Sequence, residues 1–118
     1  MKLKDILKKL REKEFILHPD EGGWFKINSD ALGLEGCIVL DPRVNKRAPC
    51  ISIDKKEWWN KWHTSTIILP LPKHWQELEV LIDLIDLLSE AEEVEDIEDS
   101  KEWMDKMSDY YHLQNLNK

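Results

Sequence analysis

Four histidines and two cysteines are the residues of this chain best suited to chemistry, and their spacing restricts what that chemistry could be. His63-Thr64-Ser65 supplies one His-x-Ser. Phosphoesterases built on paired His-x-Ser/Thr motifs need two such histidines facing one phosphate. His18, His74 and His112 are followed two residues on by Asp20, Gln76 and Gln114, so the second motif is missing. Each histidine is therefore read as structural. Cys37 or Cys50 with His63 would make a nucleophile–base pair, but both cysteines lie in apolar runs, where a thiol's pKa rises and its reactivity falls. Neither has a Cys or His neighbour at zinc-ligand spacing. They read as reduced core thiols of a cytoplasmic protein, with a Cys37–Cys50 bridge between neighbouring strands as the alternative.

Phosphate and metal motifs are incomplete as well. Gly22-Gly23 and Gly33-x-x-Gly36 lack the Lys-Ser/Thr of a phosphate loop, and the acidic run near the C-terminus lacks the Asp-x-Asp-x-Asp-Gly of a calcium loop. No cofactor and no specific metal are expected, and a non-enzymatic reading is preferred.

Charge and aromatic content remain. Residues 1–76 hold 14 Lys/Arg against 10 Asp/Glu, whereas residues 77–109 hold 2 Lys against 14 Asp/Glu. The negative segment repels phosphate backbones, which disfavours direct nucleic-acid binding. It attracts a basic protein surface and speeds association with it. The chain also has six Trp against two Phe and two Tyr. Trp58, Trp59 and Trp62 crowd one short segment, and three indoles on one short helix cannot all face inward. The expected partner-binding residues are Trp58, Trp59 and Trp62 together with Glu90, Glu92, Glu93, Glu95, Asp96, Glu98 and Asp99.

These side chains need a scaffold, and 118 residues suffice for one domain. Leu3, Ile6, Leu7 and Leu10 predict an amphipathic helix over 3–14. Residues 14–18 and 24–28 predict a hairpin across Pro19–Gly23. Residues 36–41, 50–53 and 64–69 read as further strands. Asp54-x-x-Glu57 resembles a capping box opening a short Trp-rich helix through Trp62. From His74 to Glu90 an unusually broad apolar face predicts a long helix, wide enough to pack on two sides or to pair with a second copy. Residues 90–99 read as an acidic linker or helix extension, and Asp99-x-x-Glu102 as the cap of a terminal helix carrying Trp103, Met104, Met107, Tyr110 and Tyr111.

The fold class expected is α+β: a single domain with an antiparallel meander of four or five strands, packed against an N-terminal helix, a short Trp-rich helix, and one long and one terminal helix. No leader-like apolar run and no apolar stretch of membrane-spanning length appears. The function expected is that of a non-enzymatic acidic interaction module, such as an inhibitor, an immunity or anti-defence protein, or a chaperone-like protein, binding a basic partner surface. The alternatives are a small-molecule or nucleotide binder or hydrolase with a pocket near His63 and the tryptophans, and a DNA-mimicking inhibitor.

Overall fold

A computed structural model describes residues 1–19, 22–58 and 66–116. The architecture is α+β: an N-terminal helix, a five-stranded antiparallel sheet and three C-terminal helices. The chain resolves into two compact units, residues 7–71 and residues 1–6 with 72–118. No helix among the described residues is long and apolar enough to cross a membrane.

The sheet unit is a meander. β1 (Ile16–Pro19), β2 (Trp24–Ser29), β3 (Leu34–Val39), β4 (Cys50–Lys55) and β5 (Ile67–Pro70) pair in sequence order. Period two explains its two faces. Ile27, Gly36, Ile53 and Ile67 form one cross-strand row, and Phe25, Ile38, Ile51 and Leu69 the next row on that face. All six Ile and Leu of these rows are buried. The opposite face carries Lys26, Cys37, Ser52 and Ile68, none of them buried. Gly36 is obligatory at its position: a Cβ there would lie 1.9 Å from the Ser52 carbonyl oxygen of β4.

Helix α1 (Leu3–Glu12) ends two residues before the sequence reading placed its end, through a cap without glycine. Glu14 takes φ 69°, the Phe15 N–H donates to the Leu10 carbonyl at 3.0 Å, and the Glu14 N–H donates to Arg11 at 2.9 Å. This is a Schellman closure, and its hydrophobic contact pair, Leu10 and Phe15, is buried. The chain therefore turns at Glu14 before β1 can start.

The Asp54-x-x-Glu57 reading is corrected. Asp54 and Lys55 belong to β4, opposite Glu35 and Leu34, and the Asp54 carboxylate accepts from the Thr66 hydroxyl at 2.7 Å. Only a 3-10 turn, Lys56–Trp58, follows. The remainder of the expected Trp-rich helix lies outside the described residues. The two thiols are free, so the disulfide alternative falls.

The helical unit contains α2 (Trp75–Glu90), α3 (Val94–Glu98) and α4 (Lys101–Leu116). Leu78, Leu81, Ile82, Leu84, Ile85 and Leu88 of α2 are buried, as are Trp103 and Tyr110 of α4. Helix α4 runs back along α2: the Lys106 ammonium donates to Asp83 at 2.9 Å, and Glu102 lines a groove with Glu90. The cap of α4 also differs from expectation. Ser100, not Asp99, accepts the Trp103 N–H at 3.1 Å, so the helix starts one residue later. Residues 90–99 are neither plain linker nor extension, because α3 interrupts them.

Candidate functional site

The acidic character concentrates in one unit. Residues 1–6 and 72–118 carry 15 Asp/Glu against 6 Lys, a net of −9, while residues 7–71 carry 11 Lys/Arg against 9 Asp/Glu, a net of +2. Like charges at this density oppose regular structure, so α3 needs an internal anchor. Asp96 supplies it. Its Oδ2 accepts the N–H of Glu92 and of Glu93, both at 3.0 Å, at the end of the helix where a carboxylate meets the positive pole of the backbone dipoles. Ile97 is buried and fixes the inward side. Asp96 thus has a structural task, which sets it apart from its neighbours in the expected binding set.

Glu90, Glu92, Glu93, Glu95, Glu98 and Asp99 are all exposed. No described lysine or arginine pairs with any of them. Among the described residues these six carboxylates therefore form an exposed anionic ridge without an ion-pair partner.

Beside it, α2 and α4 enclose a groove of about 310 Å³, lined by Asp83, Asp86, Leu87, Glu90, Glu102 and Lys106. The hydrogen bond from Lys106 to Asp83, together with the charge of Asp83, holds the Lys106 ammonium above the ordinary lysine range, with Asp109 and Glu102 adding to the effect. Among the described residues the lining holds four carboxylates and one ammonium.

The helix start that carries this groove rests on a buried acid. Glu77 is fully buried, and its Oε2 accepts the N–H of His74 at 2.8 Å and of Lys73 at 3.1 Å. Its Oε1 is buried without a hydrogen-bond partner. Tyr110 of α4 is likewise fully buried and hydrogen-bonded to Gln114. Burial first, and the nearby Glu77 carboxylate second, push its phenol far above the ordinary tyrosine range, so it stays neutral. In the sequence Glu77 is simply the first acid of the negative segment 77–109. Its position three residues after His74, where a side chain can reach back to the helix start, was the available signal.

The aromatic half of the expected site separates. Trp58 is 2% exposed, with the Lys55 ammonium 5.5 Å from its ring centre and its indole N–H unpaired, so it offers no outer surface. Trp59, Trp62 and His63 lie outside the described residues. Trp103 is buried too, but Trp75, the first residue of α2, is 56% exposed. Met104 and Tyr111 of α4 are also exposed, at 54% and 46%.

Both thiols are free, Cys50 buried and Cys37 half-buried. Cys37 Sγ lies 3.3 Å from the Ser52 hydroxyl, and burial, then the neighbouring Cys37, push the Cys50 thiol up. A second cavity, lined by Gly22, Gly23, Asp41, Arg43 and Val44, is closed electrostatically by Arg43 itself, whose guanidinium binds both Asp41 oxygens at 2.7–3.1 Å. Among the described residues no group of three or more His, Cys, Asp or Glu is placed to hold a metal.

No protein-family model, no curated protein and no solved structure matches this chain.

Proposed function

We propose that this protein is a non-enzymatic interaction module whose acidic helical unit docks a basic protein surface. One observation carries the reading: the exposed carboxylates of Glu90, Glu92, Glu93, Glu95, Glu98 and Asp99 stand on an ordered scaffold, and no described Lys or Arg pairs with these six. A merely solubilising charge run needs no cap. Here the Asp96 anchor holds the ridge in one geometry, which lowers the ordering cost of recognition. The anionic groove between α2 and α4 extends the same field and has room for a lysine or arginine side chain. Carboxylate–guanidinium contacts of this kind set specificity and on-rate more than raw affinity.

The test is parallel capture from the native cell by wild type and by a Glu92→Gln/Glu93→Gln/Glu95→Gln/Glu98→Gln variant, leaving Asp96 intact. The expected result is a basic protein retained by the wild type and lost with the variant. Equal recovery with both proteins would remove the proposal.

A further inference from the structure

Two of the three large exposed apolar residues of α4, Met104 and Tyr111, share one stripe, and Leu116 lies off it. Met104, Met107 and Tyr111 follow at i, i+3 and i+7, the spacing of one helical stripe. Met104 and Tyr111 are exposed and Met107 is half-buried, while Trp103, Tyr110 and Gln114 take the buried side of the same helix. The stripe runs for about 10 Å along the axis, at 1.5 Å per residue. Tyr111 is also held in place: its ring stands edge-on to the buried Tyr110, 6.4 Å between centres and 89° between planes. A pre-positioned aromatic flanked by flexible thioethers is how a docking ridge combines an anchor with adaptability.

Charge decides what can cover it. Asp105 and Asp109 are exposed on the same helix, and the whole unit carries a net of −9. A second copy laid on this stripe would bring two such units together and be repelled. A cationic helix with an apolar side would be attracted. Helix against helix matches a ridge of i, i+3, i+7 spacing, since such ridges seat between the side chains of a second helix.

We infer that the Met104–Met107–Tyr111 stripe of α4 docks a basic amphipathic helix of the partner. Its apolar side chains pack on the two methionines and Tyr111, and the unit's net charge of −9 attracts its Lys and Arg residues. The inference rests on the acidic-module reading and specifies its partner: a helix, with hydrophobic contact adding to charge.

The experiment uses the full chain and two fluorescent 16-residue peptides of identical Leu/Lys composition. One is patterned as an amphipathic helix and the other is scrambled to remove the apolar side. Affinities are read by anisotropy in low and physiological salt, with folding of every variant checked by circular dichroism. The patterned peptide is expected to bind at least tenfold more tightly than the scrambled one. Met104→Ser/Tyr111→Ser should lose that advantage while keeping the weak, salt-sensitive binding of the scrambled peptide. Met104→Lys, a helix-compatible change at an exposed position, should give the same loss and guards against a folding defect in the double variant. Equal affinity for both peptides, or full affinity in these variants, overturns the docking stripe and leaves the acidic reading intact. Absence of salt-dependent binding to either peptide overturns both. A dimer by sedimentation that Met104→Lys dissociates would assign the stripe to self-association and overturn the inference.

Discussion

Replacing Glu77 by alanine tests whether a buried acid holds the start of α2. Its carboxylate accepts two backbone N–H bonds, from Lys73 and His74. Bonds to a charged acceptor contribute about 1.5–3 kcal/mol each. Loss of the one buried methylene, Cγ, adds about 0.8 kcal/mol. Two effects oppose this. The variant no longer buries the unpartnered Oε1, worth about 1–3 kcal/mol. Lys73 and His74 are exposed, so water recovers part of their freed N–H bonding. The net expected loss is about 2–4 kcal/mol. Urea unfolding followed by circular dichroism reads it as a midpoint lowered by about 1–2 M with the slope unchanged. Glu79→Ala, at an exposed position on the same helix, should shift stability by less than about 0.5 kcal/mol. If the two variants are equally stable, Glu77 does not organise the helix start.

Three further outcomes are expected. Gly36→Ala should cost more than about 3 kcal/mol or prevent folding, because the new Cβ meets β4 backbone that no rotamer change can relieve; a near-native melting temperature contradicts the strand contact. Glu14→Gly should stabilise by about 1 kcal/mol, since φ 69° strains any residue with a Cβ; thermal melting checks it, and an unchanged or lower midpoint refutes it. Arg43 holds the Asp41 carboxyl below the usual aspartate range, chiefly by side-chain hydrogen bonding. Because the folded pKa is the lower one, this stabilisation is present above about pH 3.9 and is lost as pH falls through the depressed value. Carbon-detected NMR titration of Arg43→Gln should show Asp41 moving up toward the ordinary value, and no movement would deny the coupling.

Much of the framework was legible because it follows from periodicity. Alternation marked the return strand of the hairpin, short apolar or β-branched runs marked the later strands, with β3 placed two residues late, and the breadth of the apolar pattern marked α2 as buried over most of its surface. Its core side chains are used within the chain, leaving Trp75 exposed and Val80 and Leu87 half-buried for any partner. Local rules failed where a non-local contact competed. Asp54 and Glu57 have capping chemistry, but cross-strand pairing with Glu35 and Leu34 carried β4 through Lys55. Glu14 lacks the glycine that announces a left-handed cap, and only the buried Leu10–Phe15 pair makes the turn worthwhile. In α4 an apolar pattern of five residues looked like one inward face, yet two of the five are exposed, because one helix side holds only Trp103 and Tyr110 fully. The acidic run was legible as charge. Its division into one capping residue, Asp96, and a set of outward carboxylates was not, since both kinds are the same residue types in one stretch.

The central claim is that the open carboxylate ridge steers a basic partner. Its most direct measurement is stopped-flow association with the captured partner across ionic strength, comparing wild type with the Glu92→Gln/Glu93→Gln/Glu95→Gln/Glu98→Gln variant. Steering of this kind raises on-rates by about tenfold or more at low salt and fades as salt screens the charges. The wild type should therefore associate about tenfold faster than the variant in dilute buffer, with the two rates converging near 0.5 M salt. Identical rates at every ionic strength would contradict the account.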